Sequence, residues 1–173
     1  MPYFKVVALL FMLLFPNGCV GTDSHSKEKP TLKVRLLYKG DQCQTNHLDP
    51  QAFWIDDPDQ FKKTYARLTQ HTLGAQQDPS SRVDFSREGI LMVTMGQKPT
   101  GGYGLELNRE FAVISDDTAV LGVSWIEPPK GAILPQIITS PCLAIILPKG
   151  PYSQIHLLDQ DAHLRLQFRI DYR

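Results

Sequence analysis

The chain has 173 residues, with 18 lysines and arginines against 18 aspartates and glutamates, so its formal net charge at pH 7 is zero. This length fits one domain, and a composition of 42% hydrophobic and 21% charged residues excludes a wholly disordered protein. The neutral balance gives no basic footprint for nucleic acid, so we expect no nucleic-acid partner. Three cysteines without a Cys-x-x-Cys pair exclude a disulfide-built miniprotein and a zinc-ribbon site.

The first segment has the pattern of an export signal. Lys5 supplies a positive charge, and residues 6–15 form an unbroken apolar run. This run is too short for a membrane-spanning helix, which needs about 20 residues. Gly18 and Cys19 resemble the end of a bacterial lipoprotein signal, in which the cysteine becomes the lipidated N-terminus. We therefore predict a signal peptide over residues 1–18 and lipidation of Cys19.

An alternative cleavage site lies nearby. Pro16 and Asn17 are unusual in a lipoprotein signal, so ordinary signal-peptidase cleavage after Gly21 stays open. Residues 22–30 are polar and charged and end in a proline, so we expect residues 19–30 to form a lipidated N-terminus followed by a flexible tether. Val20 stands where an aspartate often retains lipoproteins in the inner membrane. The lipoprotein resemblance therefore implies the outer membrane of a Gram-negative cell, with the protein facing the periplasm.

One helix is predicted in the remaining domain, residues 31–173, at about 58–69. Asp57 followed by Pro58 is typical of a helix N-terminus. The apolar residues that follow recur with helical spacing on one face: Phe61, Tyr65 and Leu68.

About eight strands with short connections are predicted around this helix. Residues 31–38 alternate apolar and polar side chains, as a half-buried strand does, and residues 143–147 are continuously apolar, as a buried strand is. Asp116-Asp117 and residues 159–162 interrupt apolar runs and predict two hairpin turns. We therefore predict a mainly β, antiparallel, two-layer domain with one short helix.

The sequence offers little for catalysis. It contains no nucleophile elbow, zinc-protease motif, phosphate-binding loop or dinucleotide fingerprint. We therefore expect no enzyme activity, no cofactor and no metal. The nearest approach to a metal cluster is a group of four residues that we interpret instead as a solvated hairpin turn: His156, Asp159, Asp161 and His163.

A glycine-rich segment stands out between two strands. Its core is a run of five residues that we take as the candidate interaction loop: Pro99, Thr100, Gly101, Gly102 and Tyr103. We predict a tight hairpin turn between a strand ending near Met95 and one starting near Tyr103, with φ > 0 at one or both glycines. Two roles stay open for Tyr103: it packs into the core, or it faces solvent beside Thr100 as an interface anchor.

Three elements in order resemble the C-terminal domain of the PrcB family. They are Val83–Glu88, Lys98–Tyr103, and Thr139-Ser140-Pro141 followed by an apolar strand. The resemblance covers roughly residues 83–147, and Cys142 departs from it because the family more often has an aromatic residue there. PrcB is a lipoprotein subunit of a spirochaete surface protease complex. The resemblance implies a non-catalytic, envelope-anchored accessory subunit with a protein partner such as a protease.

The same loop is also similar to that of another family. Pro-Thr-Gly-Gly-Tyr resembles the Pro-Thr-Thr-Gly-Tyr/Phe loop of chagasin-type cysteine-protease inhibitors, which are small exported β domains. The alternative function is therefore a protease inhibitor that uses residues 97–103. A hydrolase is disfavoured, because no nucleophile and base stand together in the sequence.

Two cysteines remain once Cys19 carries lipid. Cys43 and Cys142 would both lie in an oxidising compartment, so we predict a disulfide between them. Two unpaired thiols are the alternative, because the sequence does not fix the separation that the bond requires.

Overall fold

A computed structural model describes residues 29–43, 45–69 and 78–171. The predicted signal peptide, the lipidation site Cys19 and nearly all of the tether lie outside these residues. Within the described ranges, no helix is long and apolar enough to cross a membrane.

The described residues form ten strands and one α-helix, which confirms the mainly β class. The helix, α1, spans Pro58–Thr69 as predicted, and a 3-10 turn follows at Pro79–Arg82. In chain order the strands are β1 (Thr31–Lys33), β2 (Arg35–Gly40), β3 (Gln51–Ile55), β4 (Glu88–Thr94), β5 (Gly104–Leu107), β6 (Phe111–Ser115), β7 (Thr118–Ile126), β8 (Cys142–Pro148), β9 (Gln154–Leu158) and β10 (Leu164–Arg169).

The strands form two sheets. The larger has the order β1-β6-β7-β9-β10, with β5 beside the second half of β7, and the smaller has the order β2-β8-β4-β3. The predicted hairpins β6–β7 and β9–β10 are confirmed. The prediction of purely antiparallel sheets is wrong, because β7 and β9 are parallel. The chain leaves β7, runs through β8 in the other sheet, and returns as β9 in its original direction.

The smaller sheet is buried on both faces. One face packs against the larger sheet, with Leu91, Val93 and Ile145 in the main core. The other face packs under α1, where Ile90 and Ile146 join the apolar face of the helix. Burial on both faces explains why β4 and β8 are continuously apolar, whereas β7 alternates because its sheet has one wet face.

The first predicted strand is divided. The chain passes from the larger sheet to the smaller at Val34, between β1 and β2, so residues 31–38 are two strands in different sheets. A register shift between Leu36 and Tyr38 then turns Leu37 inward and leaves Leu36 exposed. The period-two pattern predicted that Leu36 faces the core. The prediction fails because the bulge adds one residue to the alternation, so Leu37 faces the core instead.

The connections between strands lie at two opposite ends of the domain. At the distal end, the described residues 41–43, 45–50, 95–103 and 127–141 lie beside the strand termini that pair near Cys142. At the entry end, the described chain begins, and the Pro30 carbonyl accepts a hydrogen bond from the backbone N–H of Ile114 at 2.7 Å. The strands of both sheets separate these ends.

Candidate interaction surface

The predicted interaction loop is not the tip of a hairpin. It connects β4 of the smaller sheet to β5, which pairs with β7 of the larger sheet. The hairpin prediction is therefore wrong, because β3 and β8 already occupy both sides of β4. The loop pairs instead with the long connection before β8: Lys98 and Thr139 exchange two backbone hydrogen bonds of 2.8 and 2.9 Å, and the Gly101 N–H donates to the Pro135 carbonyl at 3.0 Å.

The Thr139-Ser140-Pro141 break holds this end of the domain together. The Thr139 hydroxyl donates to the Thr100 carbonyl at 2.9 Å, which fixes one sequence motif against the other. Ser140 accepts from the Cys43 N–H at 3.0 Å and donates its own N–H to Asp41 at 2.8 Å. Thr139 and Ser140 are both buried, so these bonds satisfy polar groups that would otherwise be costly. Two of the three elements of the PrcB resemblance thus meet in space.

Glycines permit the close packing of these loops. Gly102 has φ of +87°, in the left-handed region, as predicted for one of the pair. Gly96 has φ of +75°, and a Cβ at that position would lie 2.3 Å from the Leu48 carbonyl oxygen. Neither backbone position accommodates an ordinary side chain without strain.

The contacts of Tyr103 bear on its two predicted roles. It is half-buried and packs against the main core, while the Lys98 ammonium lies 5.9 Å from the centre of its ring. Thr100 is also half-buried, and Gly101 is buried. Of the five predicted loop residues, Pro99 and Gly102 are exposed. The exposed part of the loop is therefore smaller than the motif suggests.

Apolar side chains surround the exposed part of the loop. Leu48, Pro99 and Ile138 border one groove together with Gln97 and Lys98. Leu48 is 72% exposed, Ile138 65% and Ile137 54%, while Ile133 is fully exposed. We call the apolar residues of this groove and the adjacent Ile137 the apolar ridge: Leu48, Pro99, Ile137 and Ile138. Clusters of exposed apolar side chains mark interaction sites more often than isolated ones do.

Sequence reasoning missed most of the ridge. The run Ile137-Ile138 has the composition of a buried strand, but both residues are exposed. The available signal was the proline content around it, because Pro128, Pro129 and Pro135 remove backbone donors and disfavour a ladder. An apolar run that cannot join a sheet is a candidate surface feature.

A disulfide joins Cys43 to Cys142, which confirms the predicted pairing. The two Cα atoms are 6.0 Å apart, and the residues are 99 positions apart in the chain. Both side chains are buried beside Ser140. The bond ties the connection after β2 to the start of β8 and so restrains the base of the ridge.

The turn between β9 and β10 is built on a buried carboxylate. Asp159 accepts hydrogen bonds from the backbone N–H groups of Asp161 and His163, each at 2.9 Å, and from Arg165 Nε at 2.7 Å. Burial raises the pKa of Asp159, but the hydrogen bonds outweigh this and leave it below its ordinary value. The prediction of a solvated turn is wrong at Asp159, because its carboxylate organises the turn from inside. Asp161 and His163 lie near it and are exposed, whereas His156 is not part of this group.

The first element of the resemblance lies at the entry end. Asp84 opens the turn that leads into β4 and accepts hydrogen bonds from Ser86. Arg35 on β2 donates to both carboxylate oxygens of Glu88, at 2.7 and 2.9 Å. Lys149 donates to the Phe85 carbonyl at 2.9 Å. These bonds fix the entry end and do not reach the ridge.

A comparison with known protein families finds one match, and it covers part of the candidate surface. Residues 90–148 match the PrcB C-terminal family. The match covers about a third of the chain, from within β4 to the end of β8, and includes two of the three loops that meet at the ridge. The PrcB resemblance is therefore confirmed for its second and third elements, while Val83–Glu88 lies before the matched residues. No similarity to chagasin-type inhibitors is found, and neither a curated protein nor a solved structure matches the chain.

Proposed function

We propose that this chain is a non-enzymatic, lipid-anchored accessory subunit of an envelope protease complex, and that the apolar ridge binds the protein partner. The observation that carries the proposal is the coincidence of two features. The PrcB-like segment contains two of the three loops that form the ridge, and the ridge exposes isoleucines that a free surface would rarely hold.

The architecture supports a scaffold role. The disulfide, the Thr139–Thr100 hydrogen bond and the close packing at Gly96 and Gly102 restrain the loops that carry the ridge. A preorganised surface loses little conformational entropy on binding, so it suits a stable subunit contact. Tyr103 packs against the main core, so this proposal gives it a structural role.

In this proposal a lipid on Cys19 anchors the subunit at the envelope, because the signal segment resembles that of a bacterial lipoprotein. The multiple acyl chains of a bacterial lipoprotein give stable attachment, which a single chain does not. Mass spectrometry of the mature protein tests this: we expect an N-terminal Cys19 carrying lipid, and Cys19→Ser should leave an unprocessed or soluble protein. A soluble mature protein beginning at Thr22 contradicts the anchor.

Pull-down of the tagged lipoprotein from solubilised membranes tests the role. We expect a co-purifying, active protease. Dose-dependent inhibition of papain-like enzymes by the purified protein would favour the inhibitor alternative instead. Turnover of an ester or peptide by the purified protein, abolished by one point mutation, would contradict both.

A further inference from the structure

The outer face of the larger sheet carries apolar side chains that belong to neither core. Along β7, Ala119, Leu121 and Val123 face the main core, and the residues between them face outward. On this outer face, four apolar residues of three adjacent strands are half-buried or exposed and lie outside both core clusters: Phe111, Val113, Val120 and Leu158. An apolar cluster on the wet face of a sheet marks an interaction site more often than isolated apolar residues do.

Gly122 leaves a groove in the middle of this face. It lies within β7 and outside the left-handed region of φ. A Cβ at this position would lie 3.5 Å from Asn108 Cβ, which is an ordinary contact distance. Neither the backbone nor the packing therefore requires a glycine here, although glycine weakens the interior of a strand. A glycine of this kind often marks a place where a ligand approaches the backbone closely.

Two connections form the walls of this groove, which we call the sheet groove. Asn108 and Arg109, between β5 and β6, lie on one side, while Asp159 and Gln160, in the turn between β9 and β10, lie on the other. β7 forms the floor at Gly122. The volume of the sheet groove is about 220 Å³, below the roughly 300–1,000 Å³ of a site for a drug-sized molecule. This volume suits a single amino-acid residue rather than a cofactor.

Two side-chain amides offer hydrogen-bond donors to the sheet groove. Gln160 Oε1 accepts from the Trp125 backbone N–H at 2.9 Å, and the Gln160 NH₂ group donates to no residue within the described ranges. Asn108 Oδ1 accepts from the Ser124 hydroxyl. The Asn108 amide nitrogen lies towards the floor, 3.7 Å from where a Cβ of Gly122 would stand. In both amides the oxygen is bound within the protein and the nitrogen remains for a ligand.

One free positive charge lies beside these donors. The Arg109 guanidinium carbon is 5.8 Å from the centre of the Phe111 ring, and Arg109 forms no ion pair with any residue that the structure describes. Asp159 also borders the sheet groove, but Arg165 and two backbone N–H groups already bind its carboxylate. Asp161 does not line the sheet groove. A free guanidinium and two amide donors around an apolar floor are complementary to a carboxylate on an apolar residue.

We propose that the sheet groove binds the C-terminal residue of a partner protein. Its apolar side chain contacts Val120 and the backbone at Gly122, and its α-carboxylate accepts hydrogen bonds from Arg109 and the two amides. A C-terminal residue carries both groups on one Cα, so both fit a groove of this size. An internal acidic segment carries them on different residues, and a long acyl chain exceeds the volume.

Capture of a terminal carboxylate by fixed donors is a recurrent mode of peptide recognition. The sheet groove shares no residue with the apolar ridge. The proposal therefore goes beyond the proposed function and does not depend on it.

Short peptides that differ only in their C-terminal group test the ligand. The full-length mature protein is titrated into fluorescent peptides Gly-Gly-Gly-X, where X is leucine, isoleucine, valine or phenylalanine, each as the free acid and as the amide. We expect at least one free acid to bind about tenfold more tightly than its amide, because the amide loses a charge-assisted hydrogen bond. Equal affinities, or no saturable binding, would overturn the proposal. Tighter binding of decanoate than of every peptide would assign the sheet groove to a fatty acid and also overturn it.

Three variants test the site. Gly122→Val fills the sheet groove and should weaken binding of the free acid at least about tenfold. Its unfolding temperature should not fall, because a β-branched residue suits a strand. Thr118→Val is the matched control, on the same face of β7 but outside the sheet groove, and should bind as the wild type does. Arg109→Gln should remove the preference for the acid and leave binding of the amide unchanged.

These variants also give the outcomes that would overturn the proposal. Unchanged binding by Gly122→Val would exclude the sheet groove as the site. An unchanged preference for the acid in Arg109→Gln would exclude the carboxylate contact. A lower unfolding temperature of Gly122→Val would show that folding itself requires the glycine, which removes the reason to regard the sheet groove as a site.

Discussion

The adjacent glycines of the Thr-Gly-Gly-Tyr motif have unequal structural roles, which alanine replacement at each position separates. Gly102 has φ of +87°, and a Cβ there would lie 3.1 Å from Leu134 Cδ2 and 3.2 Å from Pro128 Cβ. Gly101 is outside the left-handed region, and a Cβ there would lie 3.5 Å from its nearest heavy atom, Pro135 Cδ, which is an ordinary contact distance.

The difference in backbone conformation sets the expected magnitude. An L-residue in the left-handed region costs about 1–2 kcal/mol, and the tight contacts at Gly102 add to this. At Gly101 alanine fits, and the loss of conformational freedom in the unfolded chain stabilises by about 0.4–1 kcal/mol where the backbone is compatible. We therefore expect Gly102→Ala to unfold more readily than Gly101→Ala by roughly 1.5–3 kcal/mol.

Urea unfolding followed by tryptophan fluorescence measures this difference. Both variants should keep the slope of the wild type, so that the change in midpoint reports stability alone. Equal midpoints for the two variants, or a larger loss for Gly101→Ala, would refute the inference that Gly102 is the position that disfavours a side chain.

Three further predictions concern other parts of the domain. Replacing both Cys43 and Cys142 with serine should lower the free energy of unfolding by up to about 4–5 kcal/mol by the chain-entropy model, measured by urea unfolding, and two alkylatable thiols in freshly isolated wild type would contradict the bond. Because the pKa of Asp159 is lowered in the folded state, its stabilisation is present above an ordinary carboxyl pKa near 4 and is lost as the pH falls. The stability advantage of the wild type over Asp159→Asn should therefore shrink below about pH 4 in unfolding series across pH, and a constant difference would argue against it. Tyr103→Ala should lower the free energy of unfolding by about 2 kcal/mol through loss of core packing. An unchanged melting temperature with weaker partner capture would show instead that Tyr103 contacts the partner.

Local patterns predicted local structure well in this chain. The helix 58–69 follows from Asp57, which accepts a hydrogen bond from the Gln60 N–H at 2.6 Å, and from three apolar residues that are all buried. The β6–β7 turn is also local: Asp116 takes φ of +52°, which aspartate tolerates better than most residues. In both cases the signal and the structure lie within a few residues of each other.

Long-range relations were harder to predict. Nothing near Tyr103 in the sequence shows that β5 pairs with β7 rather than with β4, because that choice depends on β3 and β8 flanking β4. The same limit applies to the contact between Thr100 and Thr139, which are 39 residues apart. Asp159 was misjudged because a turn aspartate in a polar run has the same sequence pattern whether it faces water or the interior.

The measurement that tests the proposed role most directly is the protease activity recovered with the tagged lipoprotein from solubilised membranes. Three forms are compared at equal anchored amounts: the wild type, Ile137→Asp on the ridge, and Leu36→Asp. Leu36 is a matched control because it is 46% exposed, against 54% for Ile137, and lies towards the entry end. A charge at the centre of an apolar contact should cost at least about tenfold in recovery, as for a hot-spot residue, while Leu36→Asp should match the wild type. Equal recovery by all three forms, or equal loss in both variants, would contradict a partner site at the apolar ridge.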